Sequence, residues 1–145
     1  MALAACGHPP PPKPPASGPA LVVLPAESAV FPAAAKQTTE MLARARVAGL
    51  ADPQVSKVSL EVAQLSIECV EATPHCYEAV GRSLSASQLL FAQIEKGRWE
   101  HQVRVTVTLF DVDHKEQKRT ATKLFPTEQD ATFGIEGIVA EATKP

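Results

Sequence analysis

Aromatic side chains are scarce: Trp99, Tyr77 and five phenylalanines make up 5% of the 145 residues. So few stacking platforms argue against a single-stranded nucleic-acid or carbohydrate binder. An excess of one charge is also missing. Fourteen Lys and Arg against 16 Asp and Glu give a net charge of −2 and a pI near 6.1, so no basic field exists to neutralise phosphates, and nucleic acid is excluded as a partner. No apolar run approaches the roughly 18 residues needed to cross a bilayer as a helix, which leaves covalent or peripheral attachment as the routes to a membrane. Catalytic signatures are absent too. There is no Gly-x-Ser-x-Gly and no Gly-rich phosphate loop, paired carboxylates cannot be assigned, and His8, His75, His101 and His114 fall in linker or turn-like segments. Asp111-Val112-Asp113 begins like a calcium loop but lacks the glycine and distal glutamate. We therefore expect no catalytic residue, no metal site, no cofactor and no enzymatic activity.

What the chain does have is unevenly distributed. Of its 13 prolines, eight lie at or before Pro25, and residues 8–19 read His-Pro-Pro-Pro-Pro-Lys-Pro-Pro-Ala-Ser-Gly-Pro. Consecutive prolines favour polyproline II at about 3.1 Å per residue, so this stretch can span roughly 35–40 Å as a semi-rigid stalk. It also has the composition of an SH3-type ligand or of a plain disordered leader. Residues 1–20 are read as an N-terminal segment with its linker, and residues 21–145 as one folded domain, with ordinary hydrophobic (45%) and charged (21%) contents that suit a soluble core.

Just before the linker, Leu3-Ala4-Ala5-Cys6-Gly7 fits the bacterial lipobox: an apolar residue, two small ones, and a cysteine that receives lipid. Five residues precede Cys6, whereas a complete signal carries a basic start and about 7 to 15 apolar residues. Cys6 is the candidate lipidation site and, fully acylated, would hold the chain permanently on a membrane. Setting Cys6 aside leaves Cys69 and Cys76, with Thr73-Pro74 between them. In an oxidising compartment they are a candidate disulfide; two free thiols are the alternative. Zinc with His75 would need two further ligands.

Hydrophobic patterning then outlines the elements. Leu21 to Leu24 is a wholly apolar run between prolines, read as a strand buried on both faces. Ala33 to Val47 is a helix with Ala34, Thr38, Met41, Leu42 and Ala45 inward and Gly49 as its stop. Val55 to Leu60 is a weak strand, and Glu61 to Val70 either continues it or turns into a short helix. His75 to Leu84 is a helix through Tyr77, Val80 and Leu84. Three strands follow at 88–95, 102–113 and 118–125, joined as a meander. Thr127 caps a closing helix to Ala142 with Ala131, Ile135, Ile138 and Val139 inward, weakened by Gly134 and Gly137. The expected fold class is α/β (α+β): a single two-layer domain with a mixed sheet of about five strands, an antiparallel meander, and helices packed on it.

Three phrases carry a family resemblance over residues 21–142. These are Leu21-Val22-Val23-Leu24-Pro25, the run Cys76-Tyr77-Glu78-Ala79-Val80-Gly81-Arg82-Ser83-Leu84-Ser85-Ala86-Ser87-Gln88-Leu89-Leu90, and Leu109-Phe110-Asp111-Val112. In order and spacing they resemble the amino-terminal domain class of TolB, related to penicillin-binding-protein activator and curli-secretion lipoproteins. Ser87 stands where that class often has Asp, and Asp113-His114-Lys115 replaces its acidic-glycine turn. The resemblance implies a non-catalytic, lipid-anchored periplasmic adaptor or structural subunit of an envelope assembly, with other envelope proteins as partners and an oligomer or complex as its context. Gly7, in place of the aspartate that retains many such proteins at the inner membrane, points to the outer membrane. The alternative is an envelope sensor for a small ligand or peptidoglycan component. As interface candidates we take Trp99 at a hairpin turn with Arg98, and Arg104 with Arg119 if they share a face. The bland counterparts are a Trp packed under the turn and a solvated sheet face.

Overall fold

The structure is a computed structural model that describes Gly7 and residues 20–145. Cys6 and the proline-rich residues 8–19 lie outside the described residues.

The chain runs β1 (Leu21–Val23), α1 (Pro32–Ala43), β2 (Gln54–Val55), α2 (Leu60–Ser66), α3 (Pro74–Ser83), β3 (Gln88–Lys96), β4 (Val103–Asp111), β5 (Glu116–Phe125) and α4 (Glu128–Ala142). The strands form one mixed sheet in the order β2-β1-β3-β4-β5. β1 is parallel to both β2 and β3, and β3, β4 and β5 are antiparallel neighbours. This is the expected α/β domain, open rather than closed into a barrel.

Side-chain alternation sorts the strands onto two faces. On one, Leu21, Val23, Leu90, Ala92, Val103, Val105, Val107, Leu109, Ala121 and Phe125 meet the buried stripes of α1 and α4. On the other, Val22, Leu24, Leu89, Phe91 and Phe110 meet Leu60 and Ala63 of α2 and Tyr77 and Val80 of α3. The Tyr77 ring lies 5.0 Å from Phe91 and 5.6 Å from Phe110, tilted and edge-on. Burial, with a smaller contribution from the Glu61 charge, raises the Tyr77 pKa.

Local chemistry starts the helices where the sequence places them. Thr73 Oγ1 accepts from Cys76 N ahead of Pro74, and Thr127 Oγ1 accepts from Asp130 N, with Glu128 and Asp130 in the positive first turn. α1 has no side-chain cap of its own. Instead Glu128 Oε2, from the start of α4, accepts from Ala33 N at 3.1 Å and Ala34 N at 3.2 Å. One carboxylate thus ties two helix beginnings together.

Three boundaries differ from expectation. The strand read at Val55 to Leu60 is only Gln54–Val55; Ser59 then caps α2 by accepting from Val62 N, so Leu60 belongs to a helix and Val58 is exposed. α1 ends at Ala43, and Gly49, with φ of 82°, serves a later turn. β5 starts at Glu116, because the polar break at Asp113 to Gln117 is a tight hairpin with Lys115 at φ of 54°.

Candidate functional site: an open half-sheet

The two faces are not covered equally. α1 and α4 roof one face across β4 and β5, whereas α2 and α3 reach only β1, β3 and the Phe110 end of β4. On this second face Thr108 is still buried, while beyond it Arg104 and Thr106 of β4 and Thr122 and Leu124 of β5 have no helix over them. Register places Glu95 opposite Arg104, Arg104 opposite Leu124, and Thr106 opposite Thr122. The Thr122 hydroxyl bonds Thr106 Oγ1 at 3.2 Å, Arg104 lies 3.9 Å from Glu95, and Leu124 is 44% exposed. Threonine suits such a surface: its β-branch favours the strand and its hydroxyl keeps the face wettable.

The β3–β4 turn closes one end of this meander, with Glu100 and His101 near Phe31 and Glu128. Gly97 N donates to Gln102 O at 2.7 Å, and Gln102 Oε1 accepts from Arg98 N at 2.7 Å. These bonds hold the turn while Trp99 stands 68% exposed, with the Arg98 guanidinium 5.6 Å from the centre of its ring. The tip therefore offers a pre-stiffened apolar plate with a cation over it.

Of the four candidates, Trp99 and Arg98 share the tip and Arg104 lies on the bare face. Arg119 does not join them. It is opposite Leu109 on the α1/α4 side, where it donates to the Pro145 carbonyl at 3.1 Å. Sequence reasoning missed Leu124, Thr106 and Thr122, although their alternation in two adjacent strands was a usable signal. It also missed Phe133 on α4, which is 80% exposed.

At the opposite end of the meander, the β4–β5 turn is fastened to α3 by charge. Glu78 takes Arg82 at 2.9 Å and Lys115 at 3.3 Å; the Arg82 bond, then Lys115, hold its pKa down against partial burial. Burial pushes the Asp111 carboxyl up, but the His114 backbone and ring bonds and the Lys118 charge outweigh it and leave the pKa lowered. The bond to Asp111 in turn raises the His114 pKa. This His–Asp pair sits on an exposed turn and has no hydroxyl or thiol bonded to it.

The structure brings Cys69 and Cys76 together in disulfide geometry, with Cα atoms 5.3 Å apart, across the connection between α2 and α3. Among the described residues no group of three or more His, Cys, Asp or Glu side chains could hold a metal ion, and no helix is long and apolar enough to cross a membrane. One surface depression of about 420 Å³ is lined by Val47, Ala48, Leu109, Lys118, Arg119, Thr143, Lys144 and Pro145, with three cations and no carboxylate or histidine among its side chains.

No family model matches the chain, and no curated protein does. Among solved structures it is similar to the LpoB C-terminal domain from Salmonella enterica, at 14% identity and a TM-score of 0.49 over 74% of this chain and 82% of that one. It is also similar to the PelC dodecamer from Paraburkholderia phytofirmans, at 20% identity and a TM-score of 0.49 over 88% and 95%. The LpoB C-terminal domain from Escherichia coli matches at 15% identity and a TM-score of 0.44 over 74% and 82%. At scores below 0.5 these likenesses carry no functional assignment.

Proposed function

We propose that this chain is a non-catalytic adaptor of a bacterial envelope assembly, lipid-anchored through Cys6 and displayed on its proline-rich stalk in the periplasm, at the outer membrane. Its docking face is the bare half of β4 and β5 with the Trp99 tip. The observation that carries this reading is the unequal cover of the sheet: helices cover one face except for the outer positions Arg119 and Lys123 of β5, and leave Arg104, Thr106, Thr122 and Leu124 on the other uncovered, in a meander whose first turn carries an exposed tryptophan. An aromatic plate within a polar, wettable surround is the composition of a protein interface anchor. The resemblance of residues 21–142 to the TolB amino-terminal class supports the compartment, and a Cys69–Cys76 bond suits an oxidising one.

Photo-crosslinkers placed in living cells test the face. Residues introduced at Trp99 and Leu124 should each trap the same discrete envelope protein, while one at Lys36, on the solvent side of α1, should not. Equal labelling from all three positions would refute the docking face. The anchor is tested separately by mass spectrometry of the native N-terminus, where an unmodified Cys6 would remove it.

A further inference from the structure

β5 is the outer strand of the sheet and pairs on one side only, with β4. The register shift lies between Leu109 and Phe110 of β4, at the turn end, so residues 119–125 of β5 run regularly. An edge with unpaired backbone groups is a template for another strand unless something covers it. Beside this edge, on the α4 side, lies a depression of about 270 Å³ lined by Thr122, Lys123, Gly134, Gly137, Ile138 and Glu141. Edge strand and helix together form a groove of the kind in which an extended segment can pair its backbone and place alternate side chains against the helix.

The two glycines of α4 have different explanations. At Gly134 a side chain would run into the Phe125 ring, so close packing within the chain demands glycine. At Gly137 a Cβ would meet nothing within 4 Å. Internal packing gives no reason for a mid-helix residue that costs about 1 kcal/mol relative to alanine. Phe133, 80% exposed, lies one turn earlier on the same side of the helix. An apolar anchor next to an open glycine matches a groove that receives a chain from outside.

Charge selects the occupant. Lys118, Arg119 and Lys123 line the strand, and among the described residues none of them is in an ion pair. Carboxylates near them are Asp111, which feels the Lys118 charge, Glu116 on the strand and Glu141 in the groove. We propose that β5 and the groove beside α4 form a docking site for an acidic, extended segment of a partner protein, which adds to the sheet as a further strand. This inference rests on the adaptor reading and names a second surface for it.

The test uses the isotope-labelled full chain and a short blocked peptide of alternating glutamate and valine, with the lysine-for-glutamate peptide as control. The glutamate peptide should shift the amides of residues 119–125 and slow their exchange, and added salt should weaken it. Arg119→Glu with Lys123→Glu should weaken binding roughly tenfold or more at an unchanged unfolding midpoint. Gly137→Leu should weaken it without removing a charge. The proposal is overturned if the lysine peptide binds equally, if residues 119–125 do not respond, or if the shifts fall on Trp99 and Leu124. In the last case, crosslinks from Trp99 and Leu124 would leave the adaptor reading standing and remove only the β5 site.

Discussion

The two glycines of α4 offer a matched pair of perturbations, Gly134→Ala and Gly137→Ala, on one helix three residues apart. Each substitution gains helix propensity of about 1 kcal/mol and loses the same unfolded-chain entropy, so those contributions cancel when the variants are compared. What remains is the room for a methyl group. At position 137 it points into open space and the gain survives. At position 134 it lands on the edge of the Phe125 ring, which is 4% exposed, ends β5, and faces Val103 across the strands. The ring has little space to retreat, and overpacking of this kind costs about 1 to 3 kcal/mol. Gly137→Ala should therefore stabilise by about 0.5 to 1 kcal/mol, a rise in Tm of roughly 2 to 5 °C, and Gly134→Ala should be neutral to destabilising by about 2 kcal/mol. Urea unfolding followed by circular dichroism reads both, with m-values confirming that the same surface is exposed. Equal stabilisation by the two variants would mean that Phe125 is not wedged under α4, and the account of that packing would be wrong.

Other consequences are more local. Reduction of the proposed Cys69–Cys76 bond should add two hydrogens to the intact mass and lower stability by about 2 kcal/mol, the value for so short a loop; two thiols that react before reduction would show no bond. Glu128→Ala removes the acceptor for Ala33 N and Ala34 N and should cost about 1 kcal/mol in urea unfolding, more than loss of a solvated surface carboxylate. His114 and Asp111 make a signed pH prediction. The raised His114 pKa contributes stability that is present below the ordinary value of 6.5 and lost as pH rises through the raised one. The lowered Asp111 pKa contributes stability that is present above 3.8 and lost as pH falls through the lowered one, so the pair acts between these limits. An NMR titration should find His114 above 6.5 and Asp111→Asn should return it toward that value; an unchanged titration would refute the pairing.

Pattern alone carried much of the secondary structure. The β4 alternation, the Thr127 cap with its inward stripe, and the Thr73-Pro74 start are local signals, and each element stands where its own residues put it. Boundaries failed where the deciding partner was distant or where a side-chain cap competed with alternation. Val55 to Leu60 alternates like a strand, yet β2 exists only as far as it can pair with β1, and Ser59 then caps α2. The candidate site divides in the same way. Trp99 and Arg98 were legible because a turn glycine beside a lone tryptophan is a local feature. That Arg104 and Arg119 face opposite sides followed only from register, since strands of period two are assigned to a face by their neighbours.

By itself the sequence determined the class of fold, the order of its main elements, the proline-rich lead and the lack of catalytic signatures, because these depend on composition and on periods of two and 3.6 residues. Tertiary structure alone decided which half of the sheet stays bare, that Glu128 caps a helix far away in the chain, and that Gly134 is required by Phe125 while Gly137 is not. Cover, cross-chain caps and close approach are relations between segments distant in sequence, and they come into being only when the chain packs.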